Sequence, residues 1–256
     1  MNSTSGKVIG LLTGRAGSAN QALPFKNVHP VLRRPLMLYP YLAAKRSELI
    51  DDIYLSTDGE ELKKIARSEG IKIIDRPAEM ARADSQHDAC INHALEVLGK
   101  KGVNVGIIVV LMCNVAIQPE GSIDRCIQAL LDDPTLDSAV TVREWGDHHP
   151  SRAKKMDESG LLTQILPESG TSVTTTRQLL GNCCYLDHQV WAFRVRDGRL
   201  ASDGQGPWKW MGRKIKAIEN RDLVIDVHTP EDVAYAEMWL RAHGFSKSGA
   251  FNGGEA

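Results

Sequence analysis

Short apolar runs alternate with amphipathic stretches through the first half of the chain. Val8–Leu12, Asp52–Ser56, Lys72–Ile74, Gly106–Met112 and Ser138–Val142 are strand-sized, and their continuous or alternating hydrophobicity predicts buried strands. Between them Pro35–Ser47, Glu60–Glu69, Ser85–Leu98 and Ser122–Asp132 read as helices. Glu60 and Lys64 stand at i,i+4, the spacing of a supporting ion pair on a solvated face. Strands alternating with helices predict a mainly parallel sheet covered on both faces, an α/β fold. Ligands of such sheets collect beyond the C-terminal strand ends.

The rhythm breaks from Glu144 to Gln189. Trp145-Gly146-Asp147-His148-His149-Pro150 opens a stretch with Gly160, Pro167, Gly170 and the polar run Thr171–Thr176. It is too long for a plain loop in a compact domain and predicts an inserted arm. Alternation resumes at Val190-Trp191-Ala192-Phe193, and Ile218–Val227 leads into a final helix from Pro230 to His243. Thr229 is placed to cap that helix, with Pro230 at its first position and Gly244 after its end. The expected organisation is an α/β domain over 1–143 and 190–243, an arm over 144–189, and a disordered Gly/Ser-rich tail over 244–256. No internal repeat is present.

Composition narrows the classes. Of 256 residues, 25% are charged and 42% hydrophobic, with a net charge of -1. That balance gives no general attraction to nucleic acid or to an anionic membrane, so any phosphate binding must be local. The longest apolar run, Gly106–Cys113, is strand-sized rather than membrane-spanning, and no signal-peptide apolar stretch follows Met1–Lys7. Cys90, Cys113, Cys126, Cys183 and Cys184 are odd in number and lack C-x-x-C spacing, as expected of reduced thiols in a cytoplasmic protein. Neither G-x-S-x-G nor H-E-x-x-H occurs, which leaves serine hydrolase and zinc protease chemistry without support.

The strongest chemical signal is Leu12-Thr13-Gly14-Arg15-Ala16-Gly17-Ser18, followed by Pro24-Phe25-Lys26-Asn27. A strand opening into such a loop is suited to wrapping a phosphate chain. Gly14 and Gly17 let the backbone approach closely, and successive N–H groups form an anion-binding nest. Arg15 and Lys26 add two cations, a planar fork and a compact point charge. Neither G-x-x-x-x-G-K-[ST] nor G-x-G-x-x-G is present, which also counts against a dinucleotide dehydrogenase.

Further along stand Ser56-Thr57-Asp58, Arg76-Pro77-Ala78-Glu79-Met80-Ala81, His93-Ala94-Leu95 and Ile225-Asp226-Val227-His228-Thr229. In this order and spacing, over residues 7–243, the chain resembles the cytidylyltransferases that activate sialic acid and related eight- and nine-carbon keto-sugar acids. The resemblance implies a Rossmann-like fold of the nucleotide-diphospho-sugar transferase type, with the arm serving dimerisation. It implies CTP and an acidic sugar as substrates, Mg²⁺ as cofactor with Mn²⁺ as an alternative, and a homodimer that binds neither nucleic acid nor membrane. By the same resemblance Arg15 and Lys26 are catalytic. Leu12, Gly14, Gly17, Ser18, Asn27, Arg76, Asp84 and Ser85 join them in binding nucleotide; Asn114, Arg177 and Gln178 face the sugar; Asp226 and His228 form the metal site.

Several positions keep two readings. Arg76 serves base or ribose, or pairs with Asp75 or Glu79. Asp84 and Ser85 also fit a helix N-cap. Asp58 is a metal or ribose contact, or caps a helix. His228 replaces the second aspartate of the family's I-D-x-D-T: it ligates a softer ion, touches phosphate, or is not a ligand. The family's L-L-Q-P-T-S-P-L-R reads Val110-Leu111-Met112-Cys113-Asn114-Val115-Ala116-Ile117-Gln118 here. Asp187-His188 replaces an N-G pair, and an aspartate in the sugar pocket would repel an acceptor carboxylate. His148-His149-Pro150 is read as structural or a dimer contact, and Trp208–Lys214 as a buried strand edge or subunit contact. Transfer of GTP or another NTP to a sugar 1-phosphate, or nucleotide binding without turnover, are the rival readings.

Overall fold

The computed structural model describes residues 6–16, 22–82, 85–144, 148–166, 176, 179–181 and 183–245. Its centre is a seven-stranded sheet built from β1 (Lys7–Thr13), β4 (Asp52–Thr57), β5 (Lys72–Asp75), β6 (Val105–Met112), β7 (Ser138–Glu144), β10 (Cys184–Arg194) and β11 (Ile215–Glu219). The order is β11-β7-β10-β6-β1-β4-β5. All neighbours are parallel except β10, which runs antiparallel to both β6 and β7. β1 and β6 lie centrally and are buried on both faces, which is why they read as nearly unbroken apolar runs.

Helices cover both faces. α1 (Leu38–Arg46), α2 (Glu60–Ser68) and α4 (Ser122–Asp132) pack on one core with Leu12, Leu55 and Leu111, whereas α3 (His87–Lys100) packs on the other with Ile9, Leu11 and Ile108. A third core joins the turn between β2 (Pro30–Val31) and β3 (Arg34–Pro35) to α5 (Pro230–Ala242). Cys90, Cys113 and Cys126 are buried core thiols, and burial pushes all three up.

Some local expectations change. α1 begins at Leu38 because Arg34 and Pro35 pair with Val31 and Pro30. Glu60 pairs with Lys63 at 2.9 Å and Arg67 at 3.8 Å instead of Lys64. Trp210 and Met211 are buried as expected, but in a 3-10 turn rather than a strand, with Trp210 packed 5.1 Å from Phe193. His149 caps the short 3-10 turn Pro150–Arg152. Phe245, assigned to the tail, packs 6.0 Å from the Tyr39 ring. In the region of the expected arm, β8 (Lys154–Met156) and β9 (Leu162–Gln164) form a separate exposed hairpin.

Candidate active site

Strand geometry brings the chemistry together. The C-terminal ends of the adjacent strands β1 and β6 open onto a cleft of about 310 Å³. Thr13, Gly14, Arg15, Lys26, Asn27, Arg76, Ser85, Asn114, Asp226 and His228 all line it. Among the described residues, Arg15, Lys26, Arg76 and Arg82 line the cleft with one carboxylate, Asp226. Leu12 faces the core, fully buried, and does not line the cleft. Gly17, Ser18, Asp84, Arg177 and Gln178 lie outside the described residues.

The loop after β1 is held from three sides. The Gly14 N–H donates to Ser56 O at 3.3 Å. Asp58 Oδ1 accepts from the Ala16 N–H at 2.9 Å, so this carboxylate pins the loop and caps no helix; the N-cap of α2 is Gly59. Asn27 Nδ2 donates to Arg15 O at 3.0 Å. A Cβ at Gly14 would stand 3.0 Å from Cys113 Sγ, so any larger residue there would push on the Cys113 side chain. Arg15 reaches across the cleft and donates from Nη1 to Arg82 O at 3.0 Å.

Arg76 pairs with neither Asp75 nor Glu79. Its Nε and Nη2 donate to Ser56 Oγ and O at 3.2 and 2.7 Å, while Asp75 pairs with Lys63. Ser85 does not cap α3; its hydroxyl donates to Glu79 O at 3.0 Å, and Gln86 occupies the N-cap.

On the far side, Lys26 Nζ lies 2.9 Å from His228 Nδ1, and His228 Nε2 lies 2.5 Å from Asp226 Oδ2. Lys26 has only donors, so the imidazole accepts at Nδ1 and donates from Nε2. The Asp226–His228 segment is fixed by α5: Asp232 Oδ2 accepts from the N–H groups of His228 and Thr229, and Thr229 Oγ1 accepts from Asp232 N. Val227 N donates to Asn114 O at 2.8 Å, which ties this segment to the end of β6. Burial lowers the Lys26 ammonium; Asp226 acts against that and Arg15 adds to it. For Asp226, burial raises the carboxyl, but the hydrogen bond from His228, with smaller electrostatic contributions from His228 and His188, outweighs it and leaves a net depression.

Asp226 is the one carboxylate among the described cleft residues, and no cluster of three metal-ligating side chains occurs among the described residues. One carboxylate plus substrate phosphates and waters fits a Mg²⁺ site. Both ring nitrogens of His228 are engaged, which suits it to orienting Asp226.

Asp187 does not enter the cleft. It is buried within a polar network, accepting from Thr141 Oγ1, Asn220 Nδ2 and Gln189 N at 2.5, 2.6 and 3.1 Å. The objection that it would repel an acceptor carboxylate therefore falls.

His87, Gln86, Thr13, Met80, Arg82 and Cys90 also line the cleft, and sequence reasoning missed them. His87 Nε2 lies 3.2 Å from Thr13 Oγ1, with Trp191 and Trp210 rings at 5.8 and 6.0 Å. The available signal was positional: a helix following a parallel strand starts on the ligand side of the sheet.

A family model described as cytidylyltransferase matches residues 9–157. The chain belongs to the cytidylyltransferase family. It is a nucleotidyltransferase of that class. A similar protein is the 3-deoxy-manno-octulosonate cytidylyltransferase of Bdellovibrio bacteriovorus, 22% identical over 262 residues, covering 93% of this chain and 99% of the relative. The N-acylneuraminate cytidylyltransferase of Escherichia coli O18:K1:H7 is 33% identical over 91 residues, 36% of this chain and 21% of that protein. The fold is similar to a solved CMP:2-keto-3-deoxy-manno-octonic acid synthetase complexed with CTP. The TM-score is 0.64 at 16% identity, over 92% of this chain and 99% of that one. No helix among the described residues is long and apolar enough to cross a membrane.

Proposed function

We propose that this cytidylyltransferase moves CMP from CTP to an acidic keto-sugar, an octulosonate first and a sialic-acid-like nonulosonate second. The observation that carries the reading is the cationic cleft at the ends of β1 and β6, where the described residues set four positive side chains against one carboxylate. Two anionic substrates meeting in one site require that imbalance. Similarity along nearly the whole length of an octulosonate enzyme ranks that acceptor first, and the burial of Asp187 away from the cleft leaves room for its carboxylate.

The chemistry is an in-line displacement. The anomeric hydroxyl oxygen of the acid bonds to the α-phosphorus, the bond to the bridging oxygen breaks, and pyrophosphate leaves as the hydroxyl proton is lost. Catalysis then rests on alignment and charge neutralisation. Arg15 and Lys26 line the cleft and neutralise the triphosphate; Asn27 holds the loop that carries Arg15. Asp226, oriented by His228, would hold a Mg²⁺ ion, whose charge offsets that of the phosphates. Phosphate arriving at Lys26 replaces its contact with His228 and favours the ammonium that burial disfavours. The hairpin of β8 and β9, with Met156, Leu161 and Leu162 exposed, supports a homodimer.

The test is pyrophosphate release with Mg²⁺ and each NTP against 3-deoxy-manno-octulosonate, N-acetylneuraminate and a set of sugar 1-phosphates. Turnover is expected with CTP and octulosonate, falling at least about 100-fold in Lys26→Ala and in Asp226→Ala. Turnover confined to another NTP with a sugar phosphate would overturn the substrate assignment.

A further inference from the structure

A second cavity, of about 490 Å³, shares no described lining residue with the active cleft. Arg34 of β3, Tyr39, Leu42, Lys45 and Arg46 of α1, and Phe245 after α5 form most of its wall. Its volume falls in the range of a small-molecule site. The charge on it is one-sided: among the described residues three cations line it and no carboxylate does. The whole chain carries 31 basic against 32 acidic residues, so this concentration is local. Glu237, whose charge acts on Tyr39, stays outside the cavity and is engaged by the Leu32 N–H at 3.1 Å and by Arg241 at 2.6 Å. Glu120 and Asp222 line an adjoining hollow that Arg46 and Phe245 also border.

The wall is held firmly on one side. Arg34 stands over the Tyr39 ring, 5.4 Å from its centroid. That ring is buried, and its hydroxyl donates to Val31 O at 2.7 Å. The Phe245 ring packs 6.0 Å from it at an angle of 51°. Lys45 and Arg46 are exposed in the last turn of α1, whereas Leu42 and Phe245 offer half-buried apolar surface.

The chemistry of the wall selects a ligand. Three cations exceed what one carboxylate calls for and suit a phosphate monoester, which carries about -1.5 to -2 charges at pH 7. Guanidinium groups bind phosphate through paired hydrogen bonds and also stack on planar rings. Leu42 and Phe245 supply an apolar seat for such a ring. We propose that this cavity is a second ligand site, separate from the active cleft, for a mononucleotide: its phosphate meets Arg34, Lys45 and Arg46, and its base lies against Leu42 and Phe245.

The experiment titrates AMP, GMP, CMP, UMP and inorganic phosphate into the full-length protein by calorimetry, beside Lys26→Ala, Lys45→Gln/Arg46→Gln and Leu42→Glu. At least one mononucleotide should bind Lys26→Ala as tightly as the unaltered protein, which separates the event from the active cleft. The same event should weaken at least about tenfold in Lys45→Gln/Arg46→Gln, and likewise in Leu42→Glu, which sets a carboxylate against the phosphate. Lys45 and Arg46 are exposed, so replacing them should leave the melting temperature nearly unchanged. The inference is overturned by the absence of any mononucleotide event, by an event lost in Lys26→Ala, or by one indifferent to Lys45→Gln/Arg46→Gln. Inorganic phosphate binding as tightly as the mononucleotides would remove the base from the site and overturn it too. A dimer that dissociates in Leu42→Glu would assign this face to a second copy of the chain instead.

Discussion

His87 stands at the first turn of α3, half-buried between Thr13 and two tryptophans. Burial, with help from the charges of Arg76 and His188, pushes its pKa from 6.5 down to about 4. The unfolded chain therefore binds a proton that the folded chain refuses between those values, and stability rises with pH across that window. The neutral imidazole is the form the cleft holds at pH 7. In urea unfolding at pH 4.5 and pH 7, the unaltered protein should lose roughly 2 kcal/mol more than His87→Gln between the two conditions. Equal losses would show that His87 titrates normally. His87 was hidden because no spacing marks it. Arg15 and Lys26 were legible because they belong to a loop whose glycines and charges are contiguous. The Lys26–His228 contact, spanning 202 positions, was not, since only tertiary folding creates it.

At the scale of elements, α5 does more than cover the third core. Thr229, Pro230 and Gly244 mark its ends in the sequence, and the structure adds the reciprocal bond from Asp232. That carboxylate caps the helix and at the same time accepts from the His228 backbone, so one residue couples helix stability to the placement of Asp226 and His228. Asp232→Ala should cost about 1 kcal/mol in thermal unfolding and lower kcat/KM about tenfold, the activity loss following from the loosened segment. Thr229→Ala should match the stability loss with a smaller effect on activity, because Asp232 can still hold His228. Identical activity in Asp232→Ala and the unaltered protein would sever the helix cap from the site. Asp58 and Asp187 mark the limit of reading roles from sequence. Each was read as facing ligand or capping a helix, and each instead secures backbone or a buried network.

Across the whole molecule, the parallel core was legible because β1 and β6 are buried on both faces and carry apolar runs to match. The antiparallel insertion of β10 was not, since periodicity says where strands are and nothing about their direction or neighbours. Nor did composition show that β8 and β9 stand apart from the main sheet. Each strand of that hairpin has three residues, and a two-stranded ribbon is marginal alone in water. Yet Met156, Leu161, Leu162 and Ile165 around it are 67%, 67%, 65% and 56% exposed. Exposed apolar residues clustered on one hairpin are the pattern expected of an association surface. A second copy of the chain is the partner that fits the proposed dimer, and burying these side chains would stabilise the hairpin as well. Light scattering should give a dimeric mass for the unaltered protein and a monomeric mass for Leu161→Glu/Leu162→Glu. A double variant that remains dimeric would place the subunit contact elsewhere. A monomeric unaltered protein would remove the dimer from the functional account.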